Sequence, residues 1–273
     1  MLLFPNAKIN IGLNVVEKRQ DGYHNIETIF YPIGLRDELM ISKAADLPNA
    51  DCRLEVRNAS FDGSPEDNLV VKAYRLLQRD FNLGAIDVQL TKNIPSGSGL
   101  GGGSADAAFT LKALNEIFTL KLDEDTLEQY AARLGADCPV FIKNEPVYAT
   151  GIGDVFTATD FSLSGFTLVV IVPDVHISTP EAYAAITPQF PAQNLMDSIC
   201  QSVENWKNTI RNDFETFAFE KYPELRCAKD KFYDLGASYA SMSGSGSAIY
   251  GLFKGFKPKL DTFEKYQIFV ESF

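Results

Sequence analysis

The sequence is poor in the residues that build metal centres and covalent frameworks. Only two histidines, His24 and His176, and four cysteines, Cys52, Cys138, Cys200 and Cys227, occur in 273 residues. The cysteines form no C-x-x-C pair, so neither a zinc site nor a disulfide framework is written into their spacing. Basic charge is also short. The 25 Lys and Arg residues against 36 Asp and Glu give a net charge of −11, which opposes attraction to phosphate backbones and anionic membrane surfaces. A small-molecule ligand, with no nucleic acid and no membrane, is therefore the expected partner. The longest apolar run, Phe166 to Val172, falls far below the roughly 20 residues that cross a bilayer. The opening Met1-Leu2-Leu3-Phe4-Pro5 lacks a basic start and a cleavage site, so a cytoplasmic location is expected. No Gly-Lys dipeptide occurs, which excludes a Walker-type phosphate loop.

With 45% hydrophobic and 22% charged residues, the chain has the composition of a globular protein with a large core. Its length predicts two domains, and the glycines at Thr150-Gly151-Ile152-Gly153-Asp154 place the expected boundary near 155, giving segments 1–155 and 156–273. Lys8 to Val16 alternates Ile9, Ile11, Leu13 and Val15 with polar or small residues, the period of a half-buried strand. Further strands are expected over 23–35, 37–42, 85–90 and 167–172. Helices are expected over 68–81, with Asp67 as cap, from about 103 to 118, and over 125–134, 179–185, 223–235 and 257–267, with a polar helical region at 194–212.

The most unusual segment is Ser96-Gly97-Ser98-Gly99-Leu100-Gly101-Gly102-Gly103-Ser104, in which five of nine residues are glycine. It lies between an expected strand and an expected helix. Gly97, Gly99 and Gly102 satisfy G-x-G-x-x-G, but a dinucleotide fingerprint normally follows the first strand of its unit and needs an acid after the next one. Neither condition holds. A protein-kinase glycine loop would sit between two strands, whereas here a helix follows. What remains is general: glycine backbone that approaches an anion closely at the positive end of a helix, with phosphate as the natural guest.

The segment Pro95 to Ala108, with its GLGGGSADAA core, resembles the ATP-binding motif of the GHMP kinases. Ala7-Lys8-Ile9-Asn10 with Leu13, Asp21-Gly22-Tyr23-His24 with Glu27-Thr28, Gly135-Ala136-Asp137-Cys138-Pro139-Val140-Phe141, and Met242 to Ala248 agree with other segments of that family, in order. The resemblance covers residues 7 to about 253. It implies a two-domain α+β fold, with an amino-terminal domain like domain 2 of ribosomal protein S5 and a ferredoxin-like carboxyl-terminal domain. It also implies ATP and Mg2+ as cofactors, the metal bound mainly through the nucleotide. No side chain matches the family's additional acidic metal ligand, so no protein metal site is assigned.

By the same resemblance Pro95, Ser96, Gly97, Ser98, Gly99, Leu100, Gly101, Gly102, Gly103, Ser104 and Ala105 bind ATP, Asp137 is the catalytic base and Lys8 its paired lysine. A lysine at hydrogen-bonding distance would keep the aspartate ionised and polarise the acceptor hydroxyl. Without the resemblance, Asp137 reads as a cap for a short helix and Lys8 as a solvated edge residue. Asn10 shares the strand face of Lys8 and is expected to contact substrate. In the form these motifs take here, the resemblance implies an acceptor carrying a base: His24 and Tyr23 would meet a cytosine, with Tyr183 on its other face and Thr179 nearby. Imidazole suits a base edge because it both donates and accepts, and an aromatic face suits stacking. The implied reaction is ATP-dependent phosphorylation of the 2-hydroxyl of 4-diphosphocytidyl-2-C-methyl-D-erythritol, in the non-mevalonate isoprenoid pathway. A homoserine- or mevalonate-type kinase, a ligand sensor on the same fold and a dinucleotide-dependent oxidoreductase are the alternatives. A monomer or weak homodimer is expected.

Overall fold

The computed structural model describes residues 1–47, 51–59 and 64–273. In chain order the strands are β1 (Leu2–Leu3), β2 (Asn6–Lys18), β3 (His24–Arg36), β4 (Glu38–Lys43), β5 (Cys52–Arg57), β6 (Ile86–Thr91), β7 (Val147–Thr150), β8 (Val155–Ala158), β9 (Phe166–Val172), β10 (Tyr239–Met242), β11 (Ile249–Lys254) and β12 (Gln267–Ser272). The helices are α1 (Leu69–Asp80), α2 (Gly102–Ile117), α3 (Glu124–Ala132), α4 (Val140–Lys143), α5 (Thr179–Ala185), α6 (Leu195–Ile199), α7 (Val203–Thr209), α8 (Phe214–Lys221) and α9 (Pro223–Asp234). They form two compact units that do not follow one cut in the chain: Met1–Ala7, Gly34–Ser96 and Gly101–Glu145 make the first, and Lys8–Ile33, Gly97–Leu100 and Pro146–Phe273 the second.

The first unit is a four-stranded sheet of order β1-β4-β6-β5 with α1 to α4. β6 runs antiparallel to β4 and parallel to β5. Isoleucine, valine and leucine at alternate positions of β6 bury one face, as period-two spacing requires. α1 buries Val70, Val71, Ala73, Tyr74, Leu76 and Leu77, and its small-residue partner α2 presents Ala105, Ala107, Ala108, Leu111 and Leu114 to the interior. The cap of α1 is Asn68, whose side chain accepts from Val70 N at 2.9 Å, not Asp67. Asn68 has the extended backbone a cap needs, while Asp67 is already wound into a short 3₁₀ turn, Pro65–Asp67.

The second unit holds two sheets, β10-β11-β9-β12 and β2-β3-β7-β8. In the former, every neighbouring pair is antiparallel. Phe214, Phe219, Leu225, Phe232, Phe253 and Phe263 belong to one buried cluster with residues of β9 to β11. The residues expected to form a helix at 257–267 do not: only Asp261–Phe263 turn, and the apolar tail becomes β12, paired with β9 from Gln267↔Val172 to Ser272↔Thr167. Pro258, at the start of that stretch, would not forbid a helix; the tail instead gains a full ladder beside β9. The glycines read as a boundary form the turn of the β7–β8 hairpin, with Gly151 at φ 66° and Gly153 at φ 101°. α8 has no counterpart in the sequence reading.

β2 is buried across both faces from Asn6 to Val15, whereas alternation predicted one wet face. Polar partners explain the difference: Asn10 Nδ2 donates to Thr28 Oγ1 at 3.0 Å, so the polar face is satisfied inside the protein. No helix among the described residues is long and apolar enough to cross a membrane.

Phe232 is fully buried, with its ring 4.7 Å from that of Phe263. Phe232→Ala is expected to destabilise the fold by about 3–5 kcal/mol, the cost of a large aromatic cavity. A shift of the urea unfolding midpoint at unchanged slope measures it.

Candidate functional site

In the second unit a lysine, a strand and a piece of glycine loop come together. Lys8 and Asn10 are two residues apart on β2 and therefore share a face. Lys8 Nζ donates to Asn10 Oδ1 at 2.6 Å and to the Gly99 carbonyl at 3.1 Å. Ser243 Oγ donates to the same carbonyl at 2.9 Å and accepts from Asn10 N at 3.2 Å. Lys8 N donates to the Leu100 carbonyl at 2.9 Å, and Lys8 Nζ lies 5.1 Å from the Phe30 ring centroid. Two donors thus fix the Gly99 carbonyl. In a planar trans peptide the following N–H points the opposite way, so the Leu100 amide is turned away from Lys8 and Ser243.

Positive φ recurs at Gly97 (68°), Gly99 (77°) and Gly101 (75°). Left-handed residues of this kind build the backbone concavities that hold anions. At Gly99 glycine is required twice over, because a Cβ there would lie 2.0 Å from the Ser243 carbonyl oxygen. In the first unit Gly101 caps α2 without any side-chain bond, which leaves amides of the first turn free for a ligand at the positive helix end.

Also in the first unit, Asp137 stands in the turn after α3. It lies two residues before Pro139, the cap position of α4. Cys138 is fully buried, and burial pushes its thiol up to about 12 against an opposing hydrogen bond to Ser104. It is a neutral packing residue.

A second buried network, invisible in the sequence, brackets the loop in chain order. Asp37 accepts from Asn93 N at 2.5 Å and Ile94 N at 2.8 Å. Lys92 Nζ bonds both Asp37 and Asp106, the latter at 2.7 Å. Burial pulls the Lys92 ammonium down, but the two carboxylates outweigh it and raise it overall. Burial raises Asp106 to about 7, with Lys92 opposing, and its Oδ1 has no hydrogen-bond partner among the described residues.

Of the three aromatic residues expected to meet a base, two come together. His24 and Tyr183 stack with ring centroids 4.9 Å apart at 19°, and Tyr183 meets Phe214 edge-on at 4.9 Å. The face of Tyr183 expected to meet a base is therefore turned to His24 here. Tyr23 is 60% exposed. Burial, then Lys18, pulls the His24 imidazole down, which favours the neutral ring that donates and accepts at once. Thr179 Oγ1 is 3.0 Å from Ser245 Oγ, so it bonds the second glycine-serine loop. Sequence reasoning missed Ser243, although it lies in a motif singled out for its glycines. It gave no role to Thr28, quoted only as part of a matching segment, and missed Asn212, which donates to the Met242 and Gly244 carbonyls at 2.8 Å each, and Tyr250, whose hydroxyl donates to the Asn10 carbonyl at 2.9 Å. Among the described residues no three His, Cys, Asp or Glu side chains converge as a metal site.

Two family profiles match the chain: GHMP kinases N terminal domain over residues 68–145 and GHMP kinases C terminal over residues 192–264. A 4-diphosphocytidyl-2-C-methyl-D-erythritol kinase of Bacteroides fragilis is 53% identical over 253 residues, 93% of this chain and 92% of that one. One from Parabacteroides distasonis is 46% identical over 273 residues, 100% and 97% of the two chains. A crystal structure of 4-(cytidine 5'-diphospho)-2C-methyl-D-erythritol kinase superposes with TM-score 0.77 at 31% identity, covering 92% of this chain and 90% of the other. The chain belongs to the GHMP kinases, and within them to the family of 4-diphosphocytidyl-2-C-methyl-D-erythritol kinases. The α+β fold expected from the sequence is the fold observed, and the chain is a kinase.

The folded state holds a proton on Asp106 at pH values where the unfolded chain has lost it. This contribution to stability is present in full below about pH 4 and is lost as pH rises through about 7. Asp106→Asn is expected to remove that decline, read as unfolding midpoints across the range. At the glycine loop, Gly99→Ala places a methyl group against the Ser243 carbonyl; loss of measurable ATP binding by calorimetry, with the far-ultraviolet spectrum kept, is expected.

Proposed function

We propose that the chain transfers the γ-phosphoryl group of ATP to the 2-hydroxyl of 4-diphosphocytidyl-2-C-methyl-D-erythritol, a step of the non-mevalonate isoprenoid route. The observation that carries this reading is the convergence of Lys8 and Ser243 on the Gly99 carbonyl, with Asn10 bonded to both of them. A cation is held at a phosphate-type loop and at the strand that would meet the acceptor.

Residues 95–105 cradle the triphosphate through backbone amides and the start of α2. Magnesium fits this arrangement as a cation carried by the nucleotide's phosphates, with the Ser104 hydroxyl as an oxygen donor suited to it. When bound it neutralises charge on the phosphates. The acceptor oxygen attacks the γ-phosphorus, the bond to the bridging oxygen breaks, and ADP leaves. Asp137 takes the proton of the acceptor hydroxyl, and Lys8 stabilises the charge that develops. Asn10 contacts the acceptor, and Tyr23, His24, Thr179 and Tyr183 read its cytidine end, the neutral His24 ring serving the base edge. The same proposal places the enzyme in the cytoplasm, as a monomer or weak homodimer.

The test is ATP consumption with magnesium and this acceptor beside homoserine and mevalonate. Turnover with the cytidine substrate alone is expected. Asp137→Asn should lower kcat by about 10²- to 10⁴-fold, the range of a general base, with ATP still bound. Turnover of another alcohol would overturn the acceptor assignment, and ATP binding without any turnover would favour a sensor.

A further inference from the structure

His176, the second of the two histidines, has no part in the roles above. It stands between β9 and α5, within the second unit, on a segment tied down at several points. Ser247 Oγ donates to the Pro173 carbonyl at 3.0 Å, and Tyr222 OH donates to the carbonyl of His176 itself at 3.3 Å. Ile177 is 3% exposed, and its Cδ1 lies 2.8 Å from the point a Gly246 Cβ would occupy. Thr179 Oγ1 meets Ser245 Oγ at 3.0 Å.

The side chain on this anchored backbone is exposed, and its ring lies against Gly97. Nδ1 and Cε1 lie 3.2 Å and 3.3 Å from the position a Cβ would take at Gly97, a residue with φ 68°. Neither ring nitrogen has a hydrogen-bond partner among the described residues. An imidazole can donate from either nitrogen and carry a positive charge. A Cβ at 97 would press on the ring. The chain's net charge of −11 makes a donor at the loop valuable, since a triphosphate has to be attracted against the overall field.

We propose that His176 is a phosphate-binding residue: its imidazole, held across Gly97, donates to a phosphate group of the bound nucleotide. This rests on the reading of residues 95–105 as the ATP loop. A ring that only packed against Gly97 would be replaceable by any ring of similar size, and this separates the two roles.

His176→Phe keeps the ring and removes the donors, whereas His176→Gln keeps a donor without the ring. For His176→Phe the KM for ATP should rise about tenfold, equivalent to about 1.4 kcal/mol. The kcat at saturating ATP and the KM for the acceptor should change by less than a factor of about two, within the scatter of a surface substitution. His176→Gln should recover part of the ATP affinity. In calorimetry, adenosine should bind His176→Phe as it binds wild type, and ATP more weakly. An unchanged ATP KM in His176→Phe would overturn the proposal. So would an equal loss for adenosine and ATP, or a rise in the acceptor's KM in place of that for ATP, which would assign the ring to the acceptor's diphosphate. Should wild type bind ATP but phosphorylate no acceptor, the functional reading fails while the ATP and adenosine titrations still decide the role of His176. Should it bind no ATP, both fall.

Discussion

An ammonium group taken out of water must recover its lost hydration from the protein. Lys8, 2% exposed within β2, does so from the Asn10 side chain, the Gly99 carbonyl and the face of Phe30. Its partners are constrained in turn. Asn10 is held by Thr28, which donates to the Gly12 carbonyl at 2.5 Å, and the Gly99 carbonyl shares its lone pairs with Ser243. A charge that would destabilise an ordinary strand thereby fixes the orientation of a loop peptide some ninety residues further along the chain.

The first unit meets a similar demand with the opposite balance of charge. One buried ammonium, Lys92, serves two carboxylates, Asp37 and Asp106. Two negative charges against one positive leave an excess that burial penalises, and the cost falls on the less satisfied partner. Asp37 receives two backbone amides as well, while Asp106 keeps an oxygen without a partner among the described residues. Burial accordingly raises the Asp106 carboxyl, with Lys92 opposing. In both units a lysine close to the glycine loop is the hub, and backbone groups complete the coordination.

Much of this architecture could be read in the sequence, for reasons specific to each element. The strand at 8–16 and the helices after the loop and at 179–185 declared themselves through apolar spacing, which local backbone geometry obeys. The glycine loop was legible because five glycines in nine residues have few structural uses. The tail at 267–272 was not, because its strand exists only through the ladder to β9, a partner about a hundred residues away. The buried polar face of β2 was equally hidden: alternation reports which side chains are apolar, but nothing about whether the polar ones find partners inside. Lys8 and Asn10 could be paired from their spacing, since strand geometry puts them on one face. Ser243 and Tyr250 reach the same strand through contacts of long sequence separation, whose partners apolar spacing does not reveal even where, as at Ser243, the motif itself stands out.

Cys138 follows Asp137 directly and would attract interest as a target for thiol-reactive inhibitors. Its burial and raised pKa deny an electrophile both access and thiolate. Cys200 and Cys227, by contrast, are exposed. Alkylating reagents would therefore decorate the carboxyl-terminal part of the protein and spare the residue beside the proposed base. The same asymmetry makes Cys200 and Cys227 convenient handles for fluorescent labels or surface attachment.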